Sequence, residues 1–210
     1  MLKIFILLGA LLLLSVARGL VMQIIARIFG RAIGEHALNQ QPDTIHLERT
    51  AVPNWTNPTA IAAIADMLLS RGFQDAGTFR IPEMPVVQVR LLVHPGDFFY
   101  ASIYQHSQAG VWFDLLTKYR NGRTATFTTC RPTGLANRPG HMNINMHGQS
   151  PTAVLDRARA DRPRDAFAPM SVDQVARDFE AGYADAIAWR RKRGVSAREV
   201  AEVAKMSKAA

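Results

Sequence analysis

Residues 112–130 read WFDLLTKYRNGRTATFTTC, and this stretch decides how the middle of the chain folds. Its two halves are rich in β-branched and aromatic residues, which favour β-strands. Asn121 and Gly122 lie between the halves, and Asn-Gly between two strand patterns is the strongest short-range signal for a β-hairpin. We therefore predict two antiparallel strands, at residues 111–120 and 124–130, joined by a tight turn.

Further strand patterns lie on both sides of this hairpin. Residues 86–93 read VVQVRLLV and end at the turn signal HPGD, after which residues 98–104 read FFYASIY. Residues 141–147 read HMNINMH, in which polar and apolar side chains alternate, as expected for a strand with one buried face. These patterns predict a mostly antiparallel sheet of four to five strands.

Helices are predicted before and after the strands, because residues that cap helices precede apolar stripes of helical period. The predicted starts are Thr59, Ser150-Pro151, Ser171 with Gln174, and Ser196 with Glu199. Helices before and after a run of strands indicate an α+β fold. We expect the helices after Thr59 and after Ser171 to cover one face of the sheet, leaving the other face solvated or open to a partner.

The N-terminal segment predicts a membrane anchor. Residues 4–17 read IFILLGALLLLSVA, and the apolar character continues past Arg18 to residue 26, long enough for a helix to cross a bilayer. Residues 19–33 have the pattern of a basic amphipathic helix with Arg27 and Arg31 on its polar face. Arg18, Arg27 and Arg31 are therefore the predicted membrane-contacting residues.

The chain is accordingly divided into three segments. Residues 1–34 are the predicted membrane anchor with its amphipathic helix, 35–58 a proline-containing linker, and 59–210 a soluble α+β domain. The arginines that follow the apolar run predict a single-pass protein whose domain lies in the cytoplasm. Two alternatives remain open: residues 1–17 are a cleaved signal of an exported protein, or residues 19–33 pack into the core of the domain.

Composition limits the class of partner. Hydrophobic residues make up 48% and charged residues 20% of the chain, which predicts a packed core. The formal net charge of +8 favours anionic lipid headgroups, an acidic protein surface or nucleic acid. Basic residues cluster at Arg157, Arg159, Arg162 and Arg164, and again at Arg190, Arg191, Lys192 and Arg193. The second cluster also complements the dipole at the end of a helix, so it does not require an anionic partner.

Three residues are the candidates for catalysis. His94 and His106 lie near strand ends, where they could form an acid–base group with Asp97 or Asp114. Cys130 is the single cysteine, which excludes an internal disulfide, and it precedes Arg131, whose charge could activate a thiol. The alternatives are a turn histidine, a solvent-facing histidine and a buried structural cysteine. The sequence therefore does not decide whether the protein is an enzyme.

The candidates for ligand binding lie on the last predicted strand and on the loop before it. His141, Asn143, Asn145 and His147 share one face of that strand. His141 and His147 would be about 20 Å apart, so the pattern predicts a polar ligand or an ordinary polar face, and no metal site. Arg131 and Arg138 on the Gly- and Pro-containing loop could receive an anion. No phosphate-binding motif is present, so no cofactor is predicted.

We therefore expect a membrane-anchored, non-enzymatic domain that binds a protein or lipid partner, such as an accessory or assembly subunit of a membrane complex. Membrane lipids would be contacted through residues 1–34. The alternative is a membrane-proximal hydrolase that uses His94, His106 or Cys130. Nucleic-acid binding ranks third, because the chain ends before a recognition helix could follow the last predicted helix.

Overall fold

The structure is a computed structural model that describes residues 34–36 and 38–208. These residues fall into two compact units. The first contains the described residues up to Gln41, Thr133–Ala136 and the residues from Arg190 onward. The second, called the sheet unit below, comprises Pro42–Pro132 and Asn137–Trp189.

The sheet unit is built on a seven-stranded sheet. The described residues before it, 34–36 and 38–39, are helical, and longer helices lie further along the chain. The strands are β1 (Glu48–Arg49), β2 (Gln74–Arg80), β3 (Val87–His94), β4 (Phe99–His106), β5 (Gly110–Lys118), β6 (Thr124–Thr128) and β7 (His141–Asn145). The helices are α1 (Pro58–Ser70), α2 (Pro151–Asp161), α3 (Val175–Arg193) and α4 (Ala197–Lys208). A short 3-10 turn, Pro95–Asp97, joins β3 to β4.

The predicted sheet of four to five strands is wrong, because the described residues form seven strands in the order β1 to β7. The pairings from β1 to β6 are antiparallel and β6–β7 is parallel, so the sheet is mixed. The sequence pattern missed β1, which has only two residues and lies within residues 35–58. It also missed β2 (QDAGTFR), whose Asp and Gly are depleted in strands and whose register shifts between Asp75 and Gly77.

The hairpin predicted around Asn121-Gly122 is confirmed. β5 and β6 pair antiparallel, with Asp114 opposite Thr128 and Lys118 opposite Thr124. The turn closes through hydrogen bonds from Gly122 N to Tyr119 O and from Tyr119 N to Arg123 O. Gly122 has a φ of 79°, a left-handed conformation that glycine adopts without a steric cost.

The helices cover both faces of the sheet, so the expectation that α1 and α3 share one face is wrong. On the first face, Leu68 of α1 and Leu155 of α2 are buried against the core side chains Phe113 and Phe127. On the second face, Val175 and Phe179 of α3 pack against side chains of β3 and β4, namely Val89, Leu91, Val93 and Tyr100. The sheet is therefore the middle of three layers where α3 covers its second face.

Two of the predicted helix starts differ in detail from the structure. Ser150 caps α2 by accepting a hydrogen bond from Ala153 N at 3.3 Å, as predicted. In α1 the cap is Asn57, not Thr59, and the helix begins at Pro58, where a fixed φ suits the first turn. Turns follow Ser171, so α3 begins only at Val175.

The predicted capping box of Ser196 and Glu199 is confirmed in the first unit. Glu199 N donates to Ser196 Oγ at 3.2 Å, and Ser196 N donates to Glu199 Oε2 at 3.0 Å. Arg193 Nη1 lies 2.8 Å from Glu199 Oε1, and Ala136 N donates to the same oxygen. These donors outweigh the effect of burial and hold the pKa of Glu199 down at about 2.

The predictions of a transmembrane helix and of a single-pass membrane protein are contradicted. Within residues 34–36 and 38–208, no helix combines the length and the apolar character that crossing a bilayer requires. Even α3, with 19 residues, carries charged side chains along its length. The predictions that the chain is anchored in a membrane and that its domain lies in the cytoplasm therefore have no support. Residues 1–33, which include Arg18, Arg27 and Arg31, lie outside the described residues.

Candidate functional site

A row of polar side chains crosses the sheet on the face that α3 partly covers. Ser102 of β4 lies opposite Asp114 of β5, Asp114 opposite Thr128 of β6, and Thr128 opposite Asn145 of β7. We call these four residues the polar row. Thr128 and Ser102 are buried, Asp114 is partly exposed and Asn145 is exposed. The row therefore leads from the solvent at the β7 edge into the sheet.

The Asp114 carboxyl is the chemically distinctive group of the polar row. Burial has the largest effect on this carboxyl and raises its pKa to about 6, while the hydroxyls of Thr128 and Tyr104 favour its charged form and act in the opposite direction. Its Oδ1 atom is buried and has no hydrogen-bond partner among the described residues. Buried carboxyl oxygens are rarely left without a partner, so this atom is a marked exception.

Two aromatic rings lie beside the polar row. Trp112 of β5 is opposite Tyr104 of β4, and the two rings stack with their centroids 4.9 Å apart and their planes 13° from parallel. Strand side chains alternate between faces, so Trp112 and Asp114 emerge from the same face of β5. Phe179 of α3 also contacts Tyr104, with the two ring centroids 6.0 Å apart and the rings tilted by 41°. Trp112 itself remains partly exposed.

The strand β7 forms one edge of the sheet. The backbone N–H of Thr124, at the start of β6, donates a hydrogen bond to Gly140 O, and the N–H of Met146 donates to Thr128 O. Because strand backbone groups alternate in direction, the N–H and C=O groups of Asn143 and Asn145 point away from β6. Both residues are exposed. The main chain of β7 thus presents backbone groups to the outside of the sheet that have no hydrogen-bond partner within residues 34–36 and 38–208.

The structure does not bring the three catalytic candidates together. His94 and His106 lie at opposite ends of the β3–β4 hairpin, seven residues apart along β4, or roughly 23 Å. His94 Nδ1 accepts from Asp97 N, and His106 Nδ1 accepts from Gln108 N and Ala109 N, so each histidine stabilises its own turn.

Cys130 follows β6 near the polar row. Burial, and secondarily the charge of Asp114, raise the pKa of its thiol. A thiol held in the protonated form is a poor nucleophile, so this environment does not activate Cys130. Its backbone N–H donates to Thr128 Oγ1, and its carbonyl accepts from Asn145 Nδ2 at 2.8 Å. The residue thus helps to position the polar row through its main chain.

The predicted ligand-binding residues divide into two groups at the ends of β7. His141 Nδ1 lies 2.7 Å from Thr124 Oγ1 and 3.3 Å from an Arg138 nitrogen, and burial lowers its pKa. His147 Nδ1 lies 3.1 Å from the carbonyl oxygen of Thr129. Arg131 is exposed.

Within residues 34–36 and 38–208, no group of three or more His, Cys, Asp or Glu residues could hold a metal ion.

The arginines of the two basic clusters mostly bind groups of their own unit. Arg159 and Arg162 both pair with Asp97, at 2.7 and 3.1 Å. Arg193 pairs with Glu199 at 2.8 Å. These pairings give a structural reason for a large part of the basic clusters, and they leave fewer side chains available for an anionic surface.

Sequence reasoning named Asp114 only as a partner for histidines and did not mention Tyr104 or Trp112 as site residues. Their grouping depends on the register of β4 against β5, which pairs Tyr104 with Trp112 and Ser102 with Asp114. Only one signal could have indicated it: Asp114 is an acidic residue in an otherwise apolar strand pattern.

Comparisons of the chain with protein-family models, with curated proteins and with solved structures find no match. Any statement about function therefore depends on the geometry of the site.

Proposed function

We propose that this protein is a non-enzymatic binding domain that receives an extended segment of a partner protein along β7. In such strand addition, main-chain hydrogen bonds supply the affinity and neighbouring side chains supply the specificity. The observation that carries the proposal is the exposed edge of β7, where the backbone groups of Asn143 and Asn145 point away from the sheet.

The two edges of the sheet differ in how they are protected. β1 has only two residues, Glu48 and Arg49, and Glu48 forms an ion pair with Arg80 of β2. Short length and charge are the usual means by which proteins prevent pairing at an edge. Residues 141–149 read HMNINMHGQ, with no acidic residue, lysine, arginine or proline. β7 therefore lacks these protective features, as a strand that pairs with a partner would.

The environment of the catalytic candidates also favours binding over catalysis. His94 and His106 are held in separate turns, and the raised pKa of Cys130 disfavours its thiolate. A hydrolase would require at least two of these groups within hydrogen-bond reach. The hydrolase alternative consequently has no geometric support among the described residues.

The proposal predicts a strong effect of proline at position 143. Asn143→Pro removes an N–H that points outward, so the sheet itself keeps its hydrogen bonds, since proline is tolerated on edge strands for this reason. A segment bound along β7 would lose one main-chain hydrogen bond and leave a carbonyl unsatisfied. We expect its affinity to fall roughly tenfold or more. The measurement is the dissociation constant of peptides selected from an unbiased displayed library against the wild-type protein.

Asn143→Ala is the matched control, because it removes the side chain and retains the backbone N–H. Peptides bound along β7 should bind this variant within about threefold of the wild type. The proposal fails if no peptide is enriched, or if selected peptides bind the proline variant as tightly as the alanine variant while both variants remain folded.

A further inference from the structure

The unpartnered Oδ1 atom of Asp114 requires a hydrogen-bond donor that the described residues do not supply. Tyr104 and Thr128 hydrogen-bond to the carboxyl, yet Oδ1 is buried without a partner. Leaving a buried carboxylate oxygen unpaired is costly, and an unexplained case in a native structure points to a water, an ion or a ligand.

The missing donor would also carry a positive charge. Two other carboxylates of the sheet unit have basic partners: Lys118 lies 2.8 Å from Asp178, and Arg138 lies 3.9 Å from Asp185. Asp114 forms no ion pair with a described lysine, arginine or histidine, and no cation contributes to the shift of its pKa. At neutral pH this carboxylate is therefore a negative charge without a counter-charge.

The neighbouring aromatic rings fit a cation as well. Trp112 stacks on Tyr104, and its ring lies on the same face of β5 as Asp114. A cation near the face of a tryptophan ring is stabilised by the ring quadrupole. Trp112 and Asp114 are both partly exposed, but Asp114 Oδ1 itself is buried, so an amine that reaches this atom from solvent must displace the side chains that cover it.

We infer that Asp114 and Trp112 form a binding site for an alkylammonium group, which donates an N–H to Asp114 Oδ1 and lies against the Trp112 ring. Such a group can belong to a small amine or to a lysine side chain of a partner. This inference is independent of strand addition at β7, because it depends on different residues and on a side chain, not on the main chain.

The inference is tested by isothermal titration calorimetry of the full chain at pH 7.5 with n-butylammonium and with the peptide acetyl-Gly-Lys-Gly-amide. We expect saturable binding by the wild type and at least tenfold weaker binding by Asp114→Asn. Asp185→Asn is the control, because it removes a carboxylate that is 72% exposed. It should bind within twofold of the wild type. Trp112→Leu should bind two- to fivefold more weakly.

Comparing the probes identifies the kind of amine. Tighter binding of the peptide indicates a lysine of a partner protein, and equal or tighter binding of n-butylammonium indicates a free amine. Tetramethylammonium carries the same charge but has no N–H group, so it should bind the wild type at least tenfold more weakly than n-butylammonium. This comparison decides the question even if Asp114→Asn does not fold. The inference is overturned if neither amine binds saturably, if tetramethylammonium binds equally well, or if a folded Asp114→Asn protein binds as the wild type does.

Discussion

Replacing Arg162 with alanine is expected to lower the free energy of unfolding by about 3 to 5 kcal/mol. The Arg162 side chain is only 10% exposed and pairs with Asp97 at 3.1 Å. It also donates to the Asp97 carbonyl and to Thr117 Oγ1. Its guanidinium lies 4.1 Å from the centre of the Phe99 ring. Its loss would remove a contact that joins α2 to the β3–β4 turn and would leave buried polar groups unpaired.

The measurement is urea-induced unfolding, with Arg157→Ala as the control. Arg157 pairs with Asp161 on the surface of the same helix and is 60% exposed, so its loss should cost no more than about 0.5 kcal/mol. If the two variants differ by less than about 1 kcal/mol, Arg162 does not have the structural role described here.

Replacing Asp114 with asparagine is expected to stabilise the protein at neutral pH. Burial raises the pKa of the native carboxyl from 3.8 to about 6. Between these values the native state binds more protons than the unfolded state, so the free energy of unfolding falls as pH rises from about 4 to 6. The total loss is on the order of 2 to 3 kcal/mol, and it persists above pH 6. Asparagine does not titrate and avoids this loss.

The quantity to measure is the difference in unfolding free energy between Asp114→Asn and the wild type at several pH values. Other titrating groups contribute equally to both proteins and cancel from the difference. We expect the advantage of the variant to grow by roughly 2 to 3 kcal/mol between pH 3.5 and pH 7. A difference that does not change with pH would show that the Asp114 carboxyl is not perturbed.

These two expectations bear on function in opposite ways. Arg162 stabilises the fold and, in its described contacts, binds only groups of its own unit. Asp114 reduces stability at neutral pH, although a residue of similar shape would avoid the cost. Residues that reduce stability in this way are typical of sites that bind or react, since function and stability often conflict.

Elements with a local signal were predictable from the sequence. The Asn121-Gly122 turn, the Ser150 cap and the box formed by Ser196 and Glu199 each depend on a few neighbouring residues. β1 and β2 were missed because β1 depends on pairing with β2, and β2 on pairing with β3 and on burial of side chains such as Phe79. A pattern of polar and apolar residues does not reveal such pairing.

The candidate site was harder to predict than the fold because it is produced by register between strands. The alternation in residues 141–147 correctly predicted a strand with Asn143 and Asn145 on one face. It did not predict that this strand pairs parallel with β6 and becomes an edge. Nor did it place Asn145 in one row with Thr128 and Asp114, since that row depends on the register of β5, β6 and β7.

The availability of the β7 edge is tested most directly by backbone amide hydrogen exchange at single-residue resolution. In the free protein, the account predicts fast exchange at Asn143 and slow exchange at Ile144, whose N–H points to β6. Adding a selected peptide should slow exchange at Asn143 and leave Ile144 unchanged. Slow exchange at Asn143 in the free protein would mean that the edge is already occupied, and would contradict the proposed binding surface.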